Sequence, residues 1–463
     1  MMKLKGLLNK AHDAGIGTIG LTVLCSLASV ADAQQVAVRP VTDIRAVMKE
    51  HAMIAGTDLW PGFAPEQIPV AIYDSVRTWL FFSDKPPEGF IPADDYAGAW
   101  IYDGQYPLIR GNSIVRLGET LTATSVLSNY SRRTSERYTP RDMAGIIVHE
   151  QFHVFQRTKH TGWRQNDGVL LFYPEETKEA LFLRRIEKES FKRAVLAGDN
   201  QGVAGWASTA LDYRQKRLDM VPEPFASYEN ELQRTEGLSD YIERIARGVD
   251  PLNVSNMTNG IAPAGVRDLG YWEGRWIAMI LDRLSPDWKN RLENNDTLYL
   301  EEILESELQD LPCRKPAFTD IEVSQIKTEA EKDFDLWQIK KSEEIHGYKN
   351  LPGYRIEINS TSDPLNIRIF EPLEIEILPE RAVFHRVIFS AANRKGNIRI
   401  LNHPCITWFD DSYRLVKLIL NGIPVTPEVN QEEKKLILKN EGIALELNYA
   451  EITTTGSDYF LTL

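Results

Sequence analysis

The chain has 463 residues, 43% of them hydrophobic and 26% charged, with a formal net charge of -13. That acidity argues against nucleic acid or an anionic membrane as the partner, and the length and apolar content predict a folded chain of two or more units. Of its three cysteines, none has the C-x-x-C neighbour that a cysteine zinc site needs.

Residues 1–33 have the layout of a secretory signal peptide. Lys3, Lys5 and Lys10 form a basic start, Gly15 to Val30 an apolar stretch, and Ala31-Asp32-Ala33 an A-x-A cleavage site, so the mature chain is expected to begin at Gln34. The stretch is short for a bilayer-spanning helix, and Leu24 before Cys25 is not the small residue a lipid-attachment site requires. The product is therefore expected to be exported to the periplasm or the extracellular space with no stable membrane anchor. In that oxidising setting Cys313 and Cys405 can form one disulfide, which the sequence neither requires nor excludes.

Asp43 to Ala55 predicts a helix, and Val76 to Phe82 and Ala99 to Tyr102 predict short strands. Thr120 to Leu127 alternates as a strand that can offer a free edge to an extended peptide. Thr139-Pro140-Arg141-Asp142 then supplies an N-cap, a proline at the first helical position and an acidic first turn, ahead of an almost wholly apolar run from Met143 to Phe155. A buried helix is predicted there.

Inside it lies His149-Glu150-Gln151-Phe152-His153, an H-E-x-x-H pattern. Residues four apart share a helix face, so both imidazoles can reach one metal ion with Glu150 beside them as a base. Without a metal, three such groups in an apolar helix must find hydrogen bonds in or beside the core, with Glu150 paired to an arginine such as Arg157.

Further helices are predicted over Glu175 to Leu196, Val203 to Asp219, Tyr228 to Arg247, Tyr271 to Leu284, Glu301 to Leu308 and Glu322 to His346. A catalytic zinc takes three protein ligands and keeps one position for water, so a third donor is needed. Glu236 is the choice, in Thr235-Glu236-Gly237-Leu238-Ser239-Asp240-Tyr241, with Asp240 four residues on to accept a ligand histidine's free ring N–H. Glu179, 26 positions after His153, is the rival, though its neighbours give it the look of surface charge at a helix start. His51, His346, His385 and His403 are isolated and expected to be structural or exposed.

From about residue 350 the texture changes to short β-rich runs between turn residues: Arg355 to Ile358, Asn366 to Phe370, Leu373 to Leu378, Val383 to Phe389, Asn397 to Ile400, Tyr413 to Leu420, Lys434 to Leu438 and Ala444 to Leu447. A separate sandwich-like domain is predicted.

Taken together, His149 to His153, Thr235 to Tyr241 and Tyr271-Trp272-Glu273-Gly274 resemble, in order, the H-E-x-x-H, N-E-G-[FL]-[AS]-x-Y and Y-x-x-G motifs of the gluzincin metallopeptidases, in particular their aminopeptidase N-like branch. The resemblance implies that Glu236 ligates zinc and that Tyr271 donates a hydrogen bond to the tetrahedral oxyanion. It is confined to residues 139–285. The segment between His153 and Glu236 is longer than in that branch, and its amine-binding Gly-x-Met-Glu-Asn motif is missing, Gly118-Glu119 being the nearest counterpart.

The expected architecture is α+β: a zincin-like catalytic domain over 34–346, with a small sheet and a mainly helical part, then an all-β sandwich-like domain over 350–463. The expected function is that of a secreted zinc metallopeptidase, with Zn2+ on His149, His153 and Glu236, Glu150 and Tyr271 catalytic, and a peptide or protein as substrate. The alternatives are a non-catalytic binding or structural protein on a degenerate peptidase core, and a zinc hydrolase acting on a non-peptide bond.

Overall fold

Asp43 opens the described chain by capping helix α1 (Ile44–Ala55), its carboxylate accepting from the amides of Arg45 and Ala46. A computed structural model describes residues 43–127, 138–249, 260–311 and 313–463; the expected signal peptide lies outside them. Strands β1 (Val70–Tyr73), β2 (Arg77–Phe81), β3 (Ile91–Pro92), β4 (Trp100–Asp103), β5 (Ser113–Leu117) and β6 (Thr120–Val126) form one sheet in the order β3-β4-β2-β1-β6-β5. β6 pairs in parallel with β1 and antiparallel with β5, so it is an interior strand and lacks the free edge expected of it. The edge belongs to β5. Gly118-Glu119 is the exposed two-residue turn of the β5–β6 hairpin, with Gly118 at φ +60.

Helix α2 (Pro140–Lys159) starts in a reciprocal capping box between Thr139 and Asp142 and buries nearly every residue from Met143 to Gln156. It lies against β6 on one side and α1 on another. A helical array follows: α3 (Lys178–Leu196), α4 (Asn200–Leu218), α5 (Glu223–Leu232), a π-helical turn (Gln233–Gly237), α6 (Leu238–Arg247), α7 (Ala264–Leu284), α8 (Trp288–Asn294), α9 (Leu300–Asp310) and α10 (Asp320–Lys349). The main core joins α1, the inner face of the sheet, and α2, α6 and α7 through residues such as Val47, Ile72, Ile147, Phe152, Ile242 and Trp276.

Helices α3, α4, α5, α7 and α9 also meet around two fully buried arginines. Arg214 faces Glu187, Glu229, Glu273 and Glu301, and Arg217 faces Glu187 and Glu229. Each arginine satisfies several carboxylates, the arrangement that makes buried charge tolerable.

After α10 the chain builds two further sheets. One runs, in spatial order, Glu451–Thr455, Asp458–Thr462, Tyr354–Asn359, Leu415–Ile423, Cys405–Phe409, Ala382–His385 and Ile375–Leu378; the other runs Glu428–Asn430, Lys435–Lys439, Ile443–Asn448, Gly396–Leu401, Ile388–Asn393 and Asn366–Phe370. The run expected as one strand over Val383 to Phe389 is two, crossing from one sheet to the other at Arg386-Val387. The β unit is not separate from the helices: Val169, Leu170, Tyr173, Phe225, Tyr228 and Val266 sit in the same apolar cluster as Ile356, Phe389, Leu418 and Leu445. Cys405 is buried in a strand and Cys313 stands beside Ser208 on α4; they do not pair. Among the described residues no helix is long and apolar enough to cross a membrane.

Candidate metal centre

The histidines of α2 meet Glu236 from the π-helical turn. His149 Nε2 and His153 Nε2 lie 3.1 Å apart, and Glu236 Oε2 is 3.2 Å from the second and 3.8 Å from the first. Ligand atoms on one tetrahedral ion with bonds of about 2.0–2.1 Å stand about 3.4 Å from each other. The observed separations bracket that value. Among the described residues, this is the group of His, Cys, Asp and Glu side chains gathered closely enough to hold an ion.

Two glycines allow Glu236 to arrive. A β carbon on Gly274 would lie 2.3 Å from the Gln233 carbonyl oxygen and 2.7 Å from Gly237 Cα, and one on Gly237 would lie 2.6 Å from Gly274 Cα. The glycines of Glu236-Gly237 and Tyr271-Trp272-Glu273-Gly274 are therefore the two sides of one crossing, where α7 touches the backbone of the π turn. A π turn spaces side chains differently from the α-helix around it and recurs at functional sites.

Both rings are held from behind. His153 Nδ1 is 3.0 Å from Gln156 Oε1 and 3.2 Å from Ser239 Oγ, while the Gln156 amide donates to the carbonyl oxygens of Arg234 and Thr235 at 3.2 and 3.1 Å. His149 Nδ1 makes an ion-pair contact with Glu243 Oε2 at 3.2 Å, without hydrogen-bond alignment, and Glu243 is itself held by Arg247 at 2.8 Å. A proton kept on Nδ1 leaves Nε2 as the lone-pair nitrogen on each ring. Asp240, expected in the role Glu243 occupies, instead pairs with Arg275 of α7 and with Arg244. Four residues past Glu236 the side chain is turned towards α7, whereas seven residues past it, two turns on, it faces α2.

Glu236 Oε1 accepts from Gln165 Nε2 at 2.9 Å and Arg267 Nη2 at 3.3 Å, but Oε2 is buried with no hydrogen-bond partner among the described residues. Burial alone would raise this carboxyl; the His153 and His149 imidazoles and Arg267 outweigh it and hold it well below the usual range. Glu150 is buried too, with Oε2 likewise unpartnered among the described residues, and burial pushes its carboxyl up to about 7 against the pull of His149 and His153. Two orphaned carboxylate oxygens beside converging imidazoles are the surroundings a bound cation would complete.

Ile114 of β5, Glu150, His153, Trp163, Glu236 and Arg267 help to line a small cleft. Tyr271 is not on that lining: its hydroxyl accepts from Arg267 Nη1 at 3.0 Å. Glu179 is exposed in the first turn of α3 and takes no part. Of the isolated histidines, His51 bonds Gln151 on the far side of α2, His385 bonds Thr407, His403 bonds the Asn421 carbonyl, and His346 is exposed. Sequence reasoning missed Gln156, Gln165, Glu243 and Arg267. Only Gln156, three residues past His153 on the same helix, carried a local signal.

Comparison with protein families, curated proteins and solved structures finds no match to this chain. What the site can do is therefore read from its geometry alone.

Proposed function

We propose that this chain is a zinc metallopeptidase of the gluzincin type on a zincin-like domain, in which His149, His153 and Glu236 hold Zn2+ and Glu150 is the general base. One observation carries the proposal: three ligand atoms converge at ion-coordinating separations while His153 Nδ1 is bonded to Gln156 and His149 Nδ1 stands 3.2 Å from the Glu243 carboxylate. Bound zinc supplies an acidified water and a polarised carbonyl. Glu150, on the cleft wall with an uncommitted oxygen, takes the proton from the attacking water and passes it to the leaving amine. Arg267 lines the cleft and is a donor for the oxyanion there, with the Tyr271 hydroxyl bonded behind it rather than on the cleft wall. The edge strand β5, which places Ile114 in the cleft, aligns an extended peptide. The leader of residues 1–33 directs the protein out of the cytoplasm to the periplasm or beyond.

The test combines zinc analysis with digestion of a peptide library. The purified protein should hold stoichiometric zinc and cleave peptides in a chelator-sensitive way. Glu150→Gln should keep the zinc and lose about 10²–10⁴-fold in rate. A protein without zinc affinity, or a Glu150→Gln variant that cleaves as fast as the parent, would overturn the proposal.

A further inference from the structure

The two oxygens of Glu236 stand in unlike surroundings. Oε2 faces the histidines, 3.2 Å from His153 Nε2 and 3.8 Å from His149 Nε2, and has no hydrogen-bond partner among the described residues. Oε1 instead accepts from Gln165 Nε2 at 2.9 Å and from Arg267 Nη2 at 3.3 Å. The residue is 2% exposed, so water has little access to either oxygen. A carboxylate oxygen offers two lone pairs, and two N–H donors occupy both. Glu236 therefore has Oε2 alone to give to a cation.

The two donors come from separate parts of the chain. Gln165 follows α2 on the cleft wall, and its amide must turn its NH2 towards Glu236 because an ionised carboxylate only accepts. Arg267 lies on α7, two turns before the Gly274 that meets the π turn. Further contacts fix its guanidinium: Nη1 donates to the Tyr271 hydroxyl at 3.0 Å, and Nη2 lies 3.5 Å from Asp167 Oδ2.

Three protein atoms leave a fourth position on zinc for water, whereas a carboxylate that closes on the ion with both oxygens adds a fourth protein atom and competes for that position. Resting on the zinc peptidase reading, we propose that Gln165 and Arg267 are positioning residues that hold Glu236 as a one-oxygen ligand and so keep a place at the metal open for water. Gln165 makes the shorter of the two bonds, so its loss is what lets Oε1 turn to the ion.

Cobalt(II) in place of zinc reads this directly, because its visible absorption is intense in a four-coordinate site and weak at higher coordination number. The metal-free full-length protein is titrated with cobalt(II) to saturation, and the parent should show the intense bands. Gln165→Leu keeps the bulk of the side chain and removes its donor, and its saturated bands should lose that intensity. Glu243→Gln is the comparison, since it loosens the His149 ring without freeing an oxygen of Glu236: cobalt affinity should fall about 10–100-fold while the saturated bands stay intense. Thermal melts of the metal-free proteins confirm that each variant is folded. The inference is overturned if the parent's bands are already weak, if Gln165→Leu keeps them intense, or if both variants lose intensity alike. A protein that binds neither cobalt nor zinc overturns this inference and the proposed function together, whereas the expected spectra in a protein that cleaves no peptide count against the peptidase reading alone.

Discussion

Gly274→Ala should damage the metal centre without touching a ligand. The new methyl would sit 2.3 Å from the Gln233 carbonyl oxygen and 2.7 Å from Gly237 Cα, where packed heavy atoms prefer about 3.5–4.0 Å. Both obstacles are backbone, so no side chain can swing aside, and α7 and the π turn must part by about 1 Å. Overpacking of this kind costs about 1–3 kcal/mol. Glu236 rides on that turn, and a metal site tolerates about 0.2 Å in bond length, so the shift should lower zinc affinity by about tenfold or more. Thermal melting of the metal-free protein reads the first effect, and competition with a chromophoric zinc chelator reads the second. Gly270→Ala is the control: one turn earlier on α7, its methyl would meet the Leu232 side chain at 2.4 Å rather than the π-turn backbone. It should cost stability and spare the zinc affinity. The reasoning is refuted if Gly274→Ala binds zinc as tightly as the parent, or if both variants lose affinity equally.

Four further outcomes are expected. Glu243→Gln should lower zinc affinity about 10–100-fold by releasing the His149 ring. Asp240→Ala should leave it within a few-fold while destabilising the protein by about 3 kcal/mol, because Arg275, 1% exposed, loses its carboxylate; equal zinc affinities for the two variants would contradict the assignment. His385 is held neutral by burial, its pKa lowered from 6.5 to about 3. The unfolded ring therefore binds a proton that the folded ring refuses, and stability should fall as pH drops from 6.5 towards 3, by about 4 kcal/mol at the bottom of that window. Urea midpoints of the parent and His385→Gln across that range should diverge, and parallel curves would argue against it. Finally, ending the chain after residue 349 should yield no cooperatively folded fragment, since Val169, Leu170, Tyr173, Phe225 and Tyr228 lose the β residues that cover them; a fragment with a sharp melt and parental zinc affinity would show that the shared core is dispensable.

Much of the local structure was legible from order along the chain. The capping box, the proline and the apolar run that make α2, and the four-residue spacing that sets two imidazoles on one face, depend only on helix periodicity. The alternating runs beyond residue 350 likewise announced a β unit, because side chains of a strand facing one core must alternate. The run from Tyr228 to Arg247 looked like one helix, since nothing in its spacing reveals that five of its residues form a π turn against α7.

Tertiary structure decided the remainder. Sheet order made β5 rather than β6 the edge, and the direction from which α7 approaches gave Asp240 to Arg275 and left Glu243 for His149. Gln165 and Arg267 reach Glu236 across 71 and 31 residues of chain, distances over which no periodicity relates one side chain to another. The sequence by itself determined that His149 and His153 could share a metal, because that follows from the pitch of a single helix. Which of their neighbours hold them, and what the cleft presents to a ligand, followed from how helices cross and strands order, a balance of packing over the whole chain.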